Sequence, residues 1–175
     1  CTPSDTCEFV EPLDCETMGG IWYGEGSSCI NTICSTSDFD ECEDAMPIYL
    51  GDTDFSTAEA SNSNDPYNDS MCSGSYLGVL HADVWFSYQA TCTGTLTVST
   101  CNAATFDTDL VMYSGACGKL QQIACNGDDD SCSDYTSRIN VSITSGESYL
   151  IRLGGWATGE AGSGTLTLYT WNDCK

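Results

Sequence analysis

The sequence predicts an all-β protein: an antiparallel, jelly-roll-like β-sandwich preceded by a small disulfide-rich knot. Three observations carry that expectation. Apolar residues alternate with period two in short runs from residue 83 onward. Seventeen Gly, 21 Ser and 20 Thr favour strands and turns over helix. Thirteen Cys in 175 residues supply staples for a segment too small to build a core.

Residues 1–36 form the expected N-terminal module, with Cys1, Cys7, Cys15, Cys29 and Cys34. Its most specific piece runs from Cys15 to Cys29, where Gly19, Gly20, Gly24 and Gly26 permit tight turns around Trp22 and Tyr23. Zinc is the alternative reading of these thiols. Against it stand the lack of a Cys-x2-Cys pair and of a nearby His. Residues 37–175 are the expected sandwich. Within them, residues 37–45 read as a short helix capped by Ser37 or Asp38. Residues 46–51 read as an edge strand, because Pro47 cannot donate to a ladder. Residues 61–70 read as a polar loop. The strand runs follow at 84–88, 95–99, 110–113, 120–124, 139–143, 149–153 and 165–169, punctuated by Gly, Asn, Asp and Ser. That spacing belongs to a sandwich, not to alternating strand and helix.

Charge and cysteine usage narrow the function classes. A formal charge of -22 repels phosphate backbones and makes cations the natural partners, so nucleic acid is excluded as a partner. No apolar run approaches the ~20 residues that span a bilayer. The cysteine count marks an oxidising compartment, so the protein is expected to be secreted or on a cell surface. The chain opens without Met or a signal peptide and is expected to be a processed product or an excised segment. Twelve Cys are expected in bridges: Cys7, Cys15, Cys29, Cys34, Cys42, Cys72, Cys92, Cys101, Cys117, Cys125, Cys132 and Cys174. Cys1 is then the odd one, open to a lipid anchor; the alternative is that Cys1 pairs and another Cys is spare. Two N-glycosylation sequons begin at Asn68 and Asn140, and nothing rests on them.

Four segments occur in an order that resembles a known family: Asp83–Tyr88, Thr93–Cys101, Phe106–Leu110 and Tyr149–Gly155. They are similar to the bacterial pre-peptidase C-terminal domain and its cysteine-rich relatives, over roughly residues 40–170. The knot with its Gly-Gly-x-Trp-x-Gly-x-Gly core resembles small modules found beside such domains. The resemblance implies a non-catalytic, exported sandwich that serves binding, solubility or assembly beside proteases and polysaccharide-active enzymes. It also implies loop carboxylates that hold calcium in some relatives. No enzyme domain accompanies the motifs in this sequence.

Candidate sites follow from residue chemistry. Asp107 and Asp109 open one strand, Asp128 and Asp130 sit in a loop about twenty residues later, and Asp83 precedes another strand. So many hard oxygens suit Ca2+, provided that the loops meet. The competing reading is that these residues occupy turns and keep the protein soluble. Asp38/Asp40 and Asp52/Asp54 are further pairs of the same kind. Catalysis is not expected. His81 is the only His, and no nucleophile elbow, zinc helix or phosphate loop accompanies it. Trp156, in a Gly-rich loop, offers a flat ring to a sugar face, with Tyr169 and Trp171 as further aromatics near the C-terminal end. Two functions compete. One is an extracellular structural or adhesive subunit that assembles with itself into a filament or surface layer, with calcium screening its charge. The other is a carbohydrate-binding accessory module.

Overall fold

The computed structural model of the protein describes residues 39–72 and 76–171. Nine strands make two sheets: β1 (Met46–Ile48), β2 (Gly51–Ser56), β3 (His81–Gln89), β4 (Gly94–Ser99), β5 (Thr108–Ser114), β6 (Gln121–Asn126), β7 (Arg138–Ile143), β8 (Ser148–Gly155) and β9 (Ser163–Thr170). The five-stranded sheet has the order β1-β3-β8-β5-β6, and the four-stranded sheet has the order β2-β9-β4-β7. All named pairings are antiparallel except β1 with β3. The expected all-β sandwich is present.

The two sheets differ in sequence pattern because they differ in exposure. On the four-stranded sheet Leu96, Val98, Leu166 and Leu168 are buried, while Thr165 and Thr167 alternate with them. The hydroxyls of Thr165 and Thr167 donate across the strands to Asp54 and Asp52 at 2.9 and 2.8 Å. One face is dry and one is wet, which gives the clean period of two. On the five-stranded sheet five consecutive β3 residues, Ala82–Phe86, are buried. Val84, Phe86, Leu110, Met112, Ile151 and Leu153 fill alternate positions of the core. Trp85, Val111 and Tyr113, on the other face, join Cys42, Cys72, Leu77 and Leu80 in a second apolar cluster.

That second cluster exists because the segment between β2 and β3 folds over the sheet instead of staying in solvent. Its backbone carbonyls need donors once buried. Arg152, fully buried on β8, supplies them: Nη1 donates to Asp65 O (2.8 Å) and Nη2 to Ser63 O (2.9 Å). Disulfides Cys42–Cys117 and Cys72–Cys125 tie the same layer down, and Cys101–Cys132 joins the end of β4 to the β6–β7 loop. Cys92 is disulfide-bonded as well.

Two local expectations are corrected. The helix expected over 37–45 is, in its described part, a single 3-10 turn at Cys42–Asp44 with Glu41 at its N-cap. Buried Phe39, its ring tilted against Phe86 with centroids 5.6 Å apart, and the Cys42 disulfide fix this stretch by tertiary contacts before a helix can propagate. The strand expected at 46–51 is present at the edge of the five-stranded sheet but is shorter, Met46–Ile48, and β2, which begins at Gly51, was not expected as a strand. The N-terminal module of residues 1–36 lies outside the described residues, together with Asp38, Cys1, Cys7, Cys15, Cys29, Cys34 and Cys174.

Candidate functional site

One end of the sandwich gathers the start of β5, the end of β8, the β6–β7 loop and the segment leading into β3. Thr108 pairs with Gly155 across β5 and β8, and Leu110 pairs with Asn126 across β5 and β6. These registers bring Asp107, Trp156 and Asp128 to one place although they are distant in sequence. The result is a cleft of about 640 Å3 walled by Tyr76, Phe106, Tyr135 and Trp156, with Asp107, Asp128, Asp134 and Glu160 among its polar groups.

The aromatic wall is built on a held backbone. Trp156 N–H donates to Asp107 O (3.2 Å), and Trp156 O accepts from Val79 N–H (2.9 Å). Gly78 permits this approach, because a Cβ there would lie 1.6 Å from Trp156 O. The indole itself remains 46% exposed. Tyr135 is 68% exposed and has φ +56°, and its neighbour Asp134 has the same φ. A bulky residue in the left-handed region is strained and persists there only where its surroundings impose it. Here the surroundings do: Cys132 is bridged to Cys101, and Ser133 donates through N–H and Oγ to Asn102 Oδ1 at 2.7 and 2.6 Å. Tyr76, 72% exposed, completes the wall. Its carbonyl oxygen would lie 1.7 Å from a Cβ on Gly127, so only Gly fits there.

Below the aromatics the carboxylates crowd. Asp109 is fully buried; its Oδ2 accepts from Gly78 N–H (2.7 Å), and its Oδ1 has no donor. Asp107 Oδ1 and Glu160 Oε2 are likewise buried without a donor. Burial first, then the charges of Asp128 and Glu160, push the Asp107 carboxyl up to about 7. Burial pushes Asp109 up to about 8, opposed by the Gly78 hydrogen bond and helped by Asp107, Asp128 and Asp69. Both groups ionise near pH 4 in an unfolded chain, so the folded state holds extra protons between about pH 4 and pH 8. Their stabilising effect is complete below that window and is lost as pH rises through it. Urea unfolding in chelator should therefore give lower stability at pH 8.5 than at pH 5.5. A slope of the opposite sign would contradict this arrangement.

Of the expected ligand residues, Asp107, Asp109 and Asp128 come together. Asp130 is exposed and adjoins the cluster only as a charge that raises the carboxyl of Asp128, itself raised first by burial. Asp83 does not join them. Its two oxygens accept from Arg152 Nε (2.7 Å) and Nη2 (3.0 Å), and from Ser63 Oγ (2.7 Å) and N–H (2.9 Å). With four donors satisfied and no exposure, it has nothing left for a cation. A bulge between His81 and Val84, with Leu80 and Ala82 at φ +48° and +49°, sets this part of β3. Asp52 and Asp54 serve the cross-strand bonds to Thr167 and Thr165, and Asp40 accepts from Ser61 N–H. Among the described residues no three His, Cys, Asp or Glu side chains are spaced as a finished ion site. Tyr76, Tyr135 and Glu160 were not expected from the sequence. The only signal was an aromatic inside a polar loop, at Tyr135.

Tyr169 and Trp171 form a separate pair, with ring centroids 5.8 Å apart. Trp171 Nε1 donates to Thr97 Oγ1, which fixes the indole over the four-stranded sheet.

Comparison with curated proteins finds no match. Among solved structures the chain is similar to the pre-peptidase C-terminal domain of a collagenase from Bacillus anthracis. The TM-score is 0.42 at 12% identity, over 71% of this chain and 94% of that one. It is also similar to CorA, a surface-associated copper-binding protein of Methylomicrobium album BG8. There the TM-score is 0.45 at 9% identity, over 72% of this chain and 97% of that one. No helix among the described residues is long and apolar enough to cross a membrane. The T9SS-associated family described as galactose binding domain-like matches residues 38–166, about three quarters of the chain. The protein therefore belongs to the galactose binding domain-like family.

Proposed function

We propose that this protein is an extracellular, non-catalytic module that binds a carbohydrate in the cleft at the end of its sandwich. The observation that carries the reading is the cleft wall: exposed Trp156, Tyr76 and Tyr135 stand on a backbone held by disulfide, hydrogen bonds and close glycine contacts. A pyranose has an apolar C–H face and a rim of hydroxyls. The rings offer flat apolar surface to the face, and Asp107, Asp128 and Glu160 offer acceptors to the rim. Family membership supports a galactose-configured sugar. Disulfides across the domain support life in an oxidising compartment. Of the two functions expected from the sequence, this is the carbohydrate-binding module, and it requires no self-assembly.

The test is retention of the full chain on a panel of immobilised polysaccharides, galactose-containing ones first, followed by calorimetry with the best ligand. Losing a central aromatic anchor costs about 2 kcal/mol, so Trp156→Ala should weaken binding about 30-fold. Its unfolding free energy should stay within about 0.5 kcal/mol of wild type, because the ring is half exposed. Retention of no glycan on the panel, or equal retention of the variant, would defeat the proposal.

A further inference from the structure

We infer that the cleft selects a sugar carrying a free ammonium group, an unacetylated amino sugar of galactose configuration, over neutral and acidic sugars. The inference rests on the glycan reading and names the class of sugar that the same cleft takes. Its first support is an imbalance of charge. Asp107, Asp128, Asp134 and Glu160 line the cleft, and no Lys, Arg or His is among the lining residues. Both arginines of the chain are engaged elsewhere: Arg152 is buried against Asp83, and Arg138 stands beside Asp129 at 3.8 Å. Asp107 Oδ1 and Glu160 Oε2 are buried acceptors that no donor of the protein reaches. A ligand that brings donors satisfies them, and a positively charged donor does so about twice as strongly as a neutral one.

The chemistry of the wall points the same way. A sugar hydroxyl both donates and accepts, so a neutral rim is best met by a mixed set of partners. The charged groups here are carboxylates, which when ionised only accept, and an ammonium only donates. The faces of Trp156, Tyr76 and Tyr135 carry negative potential and attract a cation within about 6 Å of a ring centre, a gain that a neutral hydroxyl does not have. The same rings can therefore stack on the apolar face of the sugar and favour the ammonium at its edge. Burial and the charges of Asp128 and Glu160 hold the Asp107 carboxyl up at about 7. An ammonium beside it opposes that repulsion and favours the ionised form. The acidic lining also extends beyond one sugar. A neighbouring cleft of about 440 Å3 shares Asp128, Asp134 and Tyr135 with the first and adds Asp130, so the next residue of an amino-sugar chain meets similar groups. Uronic or sulfated sugars meet like charge there, on a chain of formal charge -22.

The experiment is calorimetry of the full chain at about pH 7, where an amine of α-amino basicity is mostly charged. The ligands are galactosamine oligosaccharides, their N-acetylated forms and neutral galacto-oligosaccharides of equal length. The unacetylated sugar should bind at least about tenfold more tightly than either counterpart, and only its affinity should fall as salt is raised. Asp128→Asn and Glu160→Gln, both near-isosteric and at half-buried positions, should each lower that preference about fivefold and leave the neutral sugar within about twofold of wild type. Glu147→Gln removes the same charge from an exposed position before the start of β8, away from the cleft, and should leave the preference intact. Equal or tighter binding of the N-acetylated or neutral sugar, itself weakened by Trp156→Ala, would overturn the inference and leave the glycan reading standing. Binding of no sugar would defeat both. Tetramethylammonium or oligolysine binding as tightly as the galactosamine oligosaccharide would also overturn the inference, because charge alone would then be recognised. So would an unchanged preference in both cleft variants.

Discussion

Replacing Arg152 with Met should cost about 3–5 kcal/mol of stability, since removing one partner strands the other charge in a buried site. Asp83 would keep only the two donors of Ser63, in a place with no exposure. The carbonyls of Ser63 and Asp65 would lose their guanidinium donors in the same step. The guanidinium also lies over Trp85 and Tyr67, at 5.5 and 5.8 Å from the ring centroids, so stacking goes with the charge. The layer between β2 and β3 should loosen first, because Arg152 bonds two of its carbonyls, those of Ser63 and Asp65, to the sheet. Urea unfolding with disulfides intact measures the loss, and hydrogen exchange at residues 61–67 locates it. A loss below about 1 kcal/mol would show that the pair contributes little.

Removing the Cys42–Cys117 bridge by a double Ser substitution should cost about 4 kcal/mol. The bridge closes a loop with a sequence separation of 75, and the chain-entropy cost freed in the unfolded state is of that order. Its anchor points explain why the native state also suffers. Cys42 is buried in the second apolar cluster, and Cys117 packs against it from the β5–β6 connection. Without the bridge, the covering layer keeps one disulfide, Cys72–Cys125, and its hydrogen bonds to the sheet, those of Arg152 and Asp83 among them. Guanidinium unfolding of the double variant checks the value, and an unchanged midpoint would contradict it.

The sequence pattern was most legible where one sheet face is wet. The runs at 95–99 and 165–169 are both strands. That at 165–169 alternates because Thr165 and Thr167 stand on the outer face and Leu166 and Leu168 face the core, whereas in the run at 95–99 the outer Thr97 is itself covered and bonded to Trp171. β2 escaped because Phe55 is its only large apolar residue, and its outward Asp52 and Asp54 look like metal ligands when read alone. Asp83 misled for a related reason. Its partner Arg152 lies 69 residues away, and the signal was a lone Arg inside the apolar run Tyr149–Leu153. A charge at the centre of a buried strand needs an opposite charge, so the pairing was readable in kind but not in identity.

The same division holds at the cleft. Trp156, Asp107 and Asp128 were legible by residue type, but their convergence depends on strand registers and on the bonds from Trp156 to Asp107 and Val79. The carboxylates Asp107 and Asp128 and the aromatic Trp156, singled out for separate reasons, line one cleft. Tyr135 gave little warning, since its backbone geometry depends on a disulfide whose connectivity no sequence reveals.

The central claim is that the cleft is where a glycan binds. Its most direct test is a series of 1H–15N NMR spectra of the full chain, titrated with soluble galactose-containing oligosaccharides. The account predicts that the Trp156 indole and the amides of Tyr76, Phe106 and Tyr135 shift together and saturably. Shifts centred instead on Tyr169 and Trp171, or no shifts with any oligosaccharide tried, would contradict it.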